Sequence, residues 1–162
     1  MSAKSEAAVL ELNCPTPDDT RAVGRCLARC LRAGDLVALV GPLGAGKTCL
    51  VSGLAEGLGV TGRVASPSFI IARHHPGPLP LVHADAYRLA SPDELLDAGL
   101  EDWLADAAVA IEWADRVADA LPDDCLWVKL AITADGRRVS VHPTGPRSRR
   151  IAECLSDALA GH

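Results

Sequence analysis

The sequence predicts an α/β domain of three layers, with a mixed, mostly parallel central sheet flanked by helices. Three observations predict it. Strand-like and helix-like hydrophobic patterns alternate along the chain, the order that a layered α/β domain requires. The run Asp35-Leu36-Val37-Ala38-Leu39-Val40 is apolar after its first residue, as a central strand buried on both faces should be. No repeat, low-complexity stretch or Gly/Ser linker interrupts the pattern, so residues 1–162 read as one domain, with a core over about 8–142 and a C-terminal helix over about 147–160.

The elements follow in order. Ala8 to Leu12 reads as a short first strand. Thr16 is an N-cap, Pro17 fits the first helical turn, and Asp18 and Asp19 lie at the positive end of the helix dipole. Val23, Cys26, Leu27, Cys30 and Leu31 recur at helical spacing, and Gly34 ends that helix. After the strand 35–40 and the segment Gly41 to Thr48, a second helix carries Leu50, Val51, Leu54 and Leu58 on one face, with Gly57 or Gly59 near its end. Ile70 to Arg73 and Leu79 to Ala84 read as strands joined through Pro76-Gly77-Pro78. Ser91-Pro92-Asp93-Glu94 is a capping box, and Gly99 closes the short helix it opens. Ala107 to Trp113 is another buried strand. Leu126 to Thr133 and Arg138 to His142 flank Ala134-Asp135-Gly136-Arg137, a hairpin signal. Ile151 to Leu159 is a final amphipathic helix.

Composition narrows the function classes. The chain is 49% hydrophobic but only 3% aromatic, so its core is aliphatic. Sixteen basic residues against 21 acidic ones give a net charge of −5, which argues against a free-standing nucleic-acid binder, since phosphate attraction needs a clustered positive field. No stretch approaches the ~18 apolar residues of a membrane-spanning helix. Glu6 and Glu11 interrupt Met1 to Leu12, so no signal peptide is read there. The six cysteines, 14, 26, 30, 49, 125 and 154, show no metal-ligand spacing and read as reduced thiols of a cytoplasmic protein.

The segment Gly41-Pro42-Leu43-Gly44-Ala45-Gly46-Lys47-Thr48 matches G-x-x-x-x-G-K-[ST] in full. Glycines let backbone N–H groups converge on an anion without obstruction by Cβ. Lys47 brings an ammonium to the outer phosphates, Thr48 offers a hydroxyl to magnesium, and the helix that starts there points its positive end at the phosphates. A buried strand before it and an amphipathic helix after it supply the required context. The fold expected around it is that of the P-loop NTPases, with Pro42, Leu43, Gly44, Ala45, Gly46, Lys47, Thr48 and the following Cys49 against the nucleotide. No N-K-x-D segment is present and no Asp has Gly three residues later, so ATP or ADP is favoured over guanine nucleotides.

Two carboxylates end predicted strands. Asp85 follows Leu81-Val82-His83-Ala84, where such proteins hold magnesium; a turn residue or a partner of Arg88 is the plainer alternative. Glu112 ends Ala107-Ala108-Val109-Ala110-Ile111, at the strand end where open α/β sheets bind ligands. It suits the orientation or deprotonation of a water, or metal binding; capping of the segment after it is the alternative. Ser66-Pro67-Ser68-Phe69 lies on the connection where a hydroxyl often senses the γ-phosphate.

Taken together, Gly41-Pro-Leu-Gly-Ala-Gly-Lys-Thr48, Ser66-Pro-Ser-Phe69, His83-Ala-Asp-Ala-Tyr-Arg-Leu89 and Ile111-Glu-Trp-Ala-Asp-Arg116 resemble the TsaE (YjeE) family, over Leu10 to about His142. The resemblance implies an ATPase of bacterial threonylcarbamoyladenosine synthesis, a tRNA modification beside the anticodon, acting with TsaD and TsaB and meeting tRNA only through them. By position it assigns phosphate and magnesium to Lys47 and Thr48, the switch hydroxyl to Ser68 where the family has threonine, the magnesium-linked aspartate to Asp85, the acid near the γ-phosphate to Glu112 and the neighbouring tryptophan to Trp113. Asp115 stands where the family often has glutamate.

The alternative is a small-molecule P-loop kinase, which needs an arginine-bearing lid to exclude water; Arg147, Arg149 and Arg150 are its only lid candidates, and they read better as the cap of the terminal helix. Arg21, Arg25, Arg29 and Arg32 fall at i, i+4, i+8 and i+11 and read as one face of the first helix. That face is either solvated beside nearby acids or a docking stripe for an acidic partner or tRNA.

Overall fold

The computed structural model describes residues 8–60 and 71–161. Seven strands form one sheet: β1 (Leu10–Cys14), β2 (Leu36–Val40), β3 (Ala72–His75), β4 (Leu81–Asp85), β5 (Ala108–Glu112), β6 (Leu126–Thr133) and β7 (Gly136–Pro143). Their order across the sheet is β1-β7-β6-β2-β5-β4-β3. β2 pairs in parallel with β5 and β6, and β4 with β5. β3 and β7 run against their neighbours. The sheet is therefore mixed, with five strands sharing one direction and only its flanks antiparallel.

Helices cover both faces. On one lie α1 (Pro17–Ala28), α2 (Lys47–Leu58) and α5 (Pro146–Ala160); on the other, α3 (Pro92–Ala98), α4 (Leu100–Asp106) and the 3-10 segment Ala114–Ala120. The central strands alternate between the two cores, as a period of two dictates. Val37 and Leu39 of β2 face α1 and α2, while Leu36 and Ala38 face the other way. β5 turns Ala108 and Ala110 toward α2 and Val109 and Ile111 toward α3 and α4. The smaller residues thus lie under the helix that follows the glycine loop.

α1 and α2 meet backbone to backbone. A Cβ on Gly24 would lie 2.2 Å from the Leu50 carbonyl oxygen, and one on Gly53 would lie 2.0 Å from that of Arg21. No side chain fits at either contact, so α2 is held in one place against α1. Gly57 belongs to this contact and not to the helix end; Gly59 is the C-cap, at φ 72°.

Several boundaries differ from the sequence reading. β1 starts two residues late because its partner is the long hairpin strand β7, and pairing with Val141 to Arg137 sets its limits. α1 stops at Ala28, not at Gly34; Arg29 caps it and a turn follows. Thr16 is the predicted N-cap, and with Asp19 it forms a full capping box that the sequence reading did not include. Ser91 does not form the box predicted for it: its side chain makes no capping bond. The missed helix α4 follows α3 directly, with Gly99 at φ 119° serving both as C-cap of one and N-cap of the next. Ser66 to Ile70, including Ser68, lie outside the described residues.

The cysteine reading needs correction. Cys30 and Cys154 form a disulfide, with Cα atoms 5.7 Å apart and 124 residues between them in sequence. Separation along the chain hid what the packing of α5 on α1 brings together. Cys14, Cys26, Cys49 and Cys125 lie outside that disulfide. Burial pushes the Cys125 thiol up to about 12 and raises that of Cys14. Among the described residues no helix is long and apolar enough to cross a membrane.

Candidate functional site

The site is built at the C-terminal ends of β2, β5 and β4, where the sheet runs out and α2 begins. The glycine loop leaves β2 at Val40 and enters α2 at Lys47. Gly44 and Gly46 adopt φ 82° and 103°, conformations that L side chains rarely take. A Cβ on Gly41 would stand 2.6 Å from the Leu130 carbonyl oxygen, whereas the space above Gly44 is open. The loop is thus pressed onto β6 on one side and open on the other, as a cradle for an anion must be. Arg137 of β7 donates from Nε to the Gly44 carbonyl at 3.2 Å and fastens the loop from the hairpin. Nothing in the loop motif signals that contact.

Lys47 is buried. Its Nζ donates to the carbonyl oxygens of Gly41 and Pro42, the latter at 3.0 Å, and lies 4.2 Å from the centre of the Trp113 ring. Burial pulls its pKa below the ordinary lysine value, against the opposing pull of Glu112, Asp85 and Asp115. An ammonium short of solvent and satisfied by carbonyls gains a better partner in any oxyanion held by the loop. Trp113 itself takes φ 58°, the one positive φ of a non-glycine residue among those described. That strained backbone turns the chain sharply after β5 and brings the indole beside Lys47, with Tyr87 against it at 4.8 Å between ring centres.

Glu112 ends β5 and is buried. The Thr48 hydroxyl donates toward both of its oxygens, at 3.1 Å each, and His83 Nε2 lies 2.6 Å from Oε2. Asp85 ends β4 directly beside Glu112 in the parallel register, and its Oδ1 accepts the backbone N–H of Tyr87 at 2.9 Å. The structure therefore brings Lys47, Thr48, Asp85, Glu112 and Trp113 to one mouth, as the sequence predicts. His83 was quoted there only as part of a motif.

The donors suit a hard divalent cation shared with phosphate oxygens: a hydroxyl and two carboxylates around an anion cradle. Among the described residues no cluster of three His, Cys, Asp or Glu could hold a metal unaided. A cavity of about 150 Å3 opens beside the loop, lined by Thr16, Thr20, Gly44, Gly46, Cys49 and Arg137; Cys49 borders it, with Sγ 3.2 Å from the Pro17 carbonyl. A larger groove of about 430 Å3 lies against His74, His75 and Trp103 near the N-terminal ends of β4 and β5, and holds none of the predicted residues.

Comparison with known proteins decides the family. A model of the family described as "Threonylcarbamoyl adenosine biosynthesis protein TsaE" matches residues 14–139. The chain belongs to the TsaE family. A family relative from Streptomyces coelicolor, named tRNA threonylcarbamoyladenosine biosynthesis protein TsaE, is 50% identical over 137 residues, covering 78% of this chain and 92% of the relative. The protein of the same name from Bacillus subtilis is 38% identical over 143 residues, covering 86% and 89%. The crystal structure of YdiB from Bacillus subtilis superposes with a TM-score of 0.80 at 32% identity, covering 91% of this chain and 94% of that one. Those likenesses span the sheet and the loop alike.

The structure gives both arginine groups defined partners. Arg147 and Arg150 are committed to the buried Asp35, at 3.1 and 3.6 Å; they fasten α5 and do not form a lid. Arg25 pairs with Glu56 of α2 at 3.1 Å, and Arg21 pairs with Asp18 and lies 3.9 Å from Glu56. Because α1 ends at Ala28, Arg29 is its cap and Arg32 lies beyond it. The four guanidinium groups do not share one helical face.

Proposed function

We propose that this protein binds ATP with magnesium at the glycine loop and hydrolyses it, as an accessory factor in forming threonylcarbamoyladenosine on tRNA. In this reading it acts on the complex of TsaB and TsaD and meets tRNA through them; a net charge of −5 offers no phosphate-binding field of its own. One observation carries the proposal. Three neighbouring strand ends deliver the ammonium of Lys47, the hydroxyl of Thr48 and the carboxylates of Asp85 and Glu112 to the open side of the loop.

The residues divide the work. Loop N–H groups and the N-terminus of α2 hold the β-phosphate side of the triphosphate. Lys47 exchanges the Gly41 and Pro42 carbonyls for phosphate oxygens, a charge-assisted bond for a neutral one. Thr48 and Asp85 hold magnesium, which supplies charge neutralisation to the triphosphate. Glu112, at the same mouth, orders the attacking water and accepts its proton. Cys49 and the cavity beside Gly44 and Gly46 provide room for the rest of the nucleotide. Two of the three lid candidates of the kinase alternative, Arg147 and Arg150, are paired with Asp35, which weighs against that alternative.

Calorimetry with MgADP and MgATP, joined to phosphate release with and without purified TsaB–TsaD, tests the reading. Binding heat, and hydrolysis that rises on adding the complex, are expected. No heat, or identical rates in both conditions, would overturn it.

A further inference from the structure

We propose that His83 is the positioning residue of this site, holding Glu112 in place when the Thr48 hydroxyl leaves it for the metal. The inference rests on the nucleotide reading above and assigns a part to a residue outside the catalytic set.

Glu112 has two side-chain partners among the described residues. The first is Thr48, whose single hydroxyl proton is spread over both carboxylate oxygens at 3.1 Å. That partner is not permanent, since the same oxygen is the one a phosphate-bound cation takes. The second is His83, at 2.6 Å from Oε2, with a side chain that is fully buried. A carboxylate only accepts, so Nε2 carries the proton of that bond. Nδ1 is buried and has no hydrogen-bond partner among the described residues. The ring's side-chain bond is thus directed at Glu112.

The strands explain how it reaches. His83 and Asp85 are two apart on β4 and share a face. In the parallel register His83 stands opposite Ala110, and Asp85 opposite Glu112. Ala110 is small and faces the α2 core, which leaves room for a ring directly beneath the Glu112 carboxylate. His83 is therefore a floor under Glu112, fixed by the sheet and not by the loop. Once Thr48 turns to a metal, His83 is what keeps that carboxylate from rotating away.

The test uses the whole chain and a set of substitutions. His83→Leu fills the volume without a donor; His83→Gln places an amide N–H at the reach of Nε2; His83→Asn places it short. For His83→Leu and His83→Asn, MgADP affinity should stay within about threefold of the wild type while single-turnover phosphate release falls by at least about tenfold. His83→Gln should recover most of that rate. His83→Leu combined with Glu112→Gln should be no slower than Glu112→Gln alone, because both remove one coupled unit. In the nucleotide-free protein the His83 ring N–H should give a downfield proton resonance that shifts in Glu112→Gln. Wild-type turnover in His83→Leu, equal loss in the Gln and Asn variants, losses that multiply in the double variant, or a ring proton indifferent to Glu112→Gln each overturn the inference. Should His83→Leu fail to fold, the Gln and Asn pair carries the comparison. Absence of MgADP heat in the wild type strikes instead at the nucleotide reading, and the ring proton then still tests the His83–Glu112 bond.

Discussion

Asp35 and Glu112 are both buried carboxylates at the ends of strand segments, yet they are matched in opposite ways. Asp35, just before β2, accepts the Arg32 backbone N–H at 2.7 Å and faces the guanidinium groups of Arg147 and Arg150. Arg147 also donates to the carbonyls of Gly34 and Ala33. Five residues before Asp35, Cys30 is bonded to Cys154 of the same helix α5. Glu112, at the other end of the sheet, is held among the described residues by a hydroxyl and an imidazole, while Lys47 donates to backbone carbonyls. A buried carboxylate flanked by two guanidinium groups is an anchor, since removing a partner strands a charge. One held by a hydroxyl and an imidazole at a strand end beside an anion cradle is placed to take a cation. The comparison separates the end of the molecule that fastens α5 from the end proposed to bind nucleotide, called the binding end below.

The largest expected effect belongs to the binding end. Lys47→Ala should weaken MgADP or MgATP affinity by at least about 100-fold, the loss of a buried charge-assisted contact to phosphate. It should not lower the thermal midpoint, because the ammonium is disfavoured by burial in the free protein. Calorimetry and thermal unfolding on one preparation check both halves. A variant that loses affinity only because it unfolds would erase the distinction between the two regions.

The anchoring end should answer in stability alone. The Cys30–Cys154 bond spans a sequence separation of 124, and a crosslink over so long a loop contributes about 5 kcal/mol by chain entropy. Adding reductant, or Cys30→Ser, should lower the urea midpoint accordingly while leaving MgADP affinity unchanged. Asp35→Ala should cost about 2 kcal/mol, less than a fully buried pair because its arginines are partly exposed. Glu112→Gln should change stability by under about 1 kcal/mol, since the Thr48 hydroxyl and the His83 ring N–H can donate to an amide oxygen as well. Urea titrations of the two variants sharpen the contrast directly; equal destabilisation would remove it.

How much of this was legible in the sequence follows the same division. The binding end is written locally: a loop of eight consecutive residues, a strand before it and a helix after it dictate Lys47 and Thr48, and two strand ends dictate Asp85 and Glu112. Thr16 and Asp19 cap α1 for equally local reasons. The anchoring end is not local. Cys30 and Cys154, and Asp35 and Arg147, meet only because α5 returns across α1 after the β6–β7 hairpin, and no spacing along the chain encodes that return. α4 was missed because one glycine both ends α3 and begins α4, leaving no separate start signal. The part played by His83 depends on a cross-strand neighbour, Ala110, and on register, which hydrophobic alternation does not reveal.

The smallest effect is a pH dependence, and its sign follows from Lys47. Burial lowers its pKa in the folded chain below the ordinary value of 10.5. Between the lowered value and 10.5 the unfolded chain binds more protons than the folded one, so this group makes stability rise with pH. Its cost is present in full at neutral pH and fades as the pH climbs toward the unfolded value. Lys47→Met keeps the volume and lacks the titration. Urea unfolding of both proteins at steps from neutral pH to about 10 should show the wild type gaining on the variant as the pH rises. Asp35→Ala, whose anchor holds no lysine, should keep the wild-type slope. A gap between wild type and Lys47→Met that stays constant, or widens against the wild type, would mean that the ammonium is not under strain in the free site and has no reason to prefer phosphate over the carbonyls it already holds.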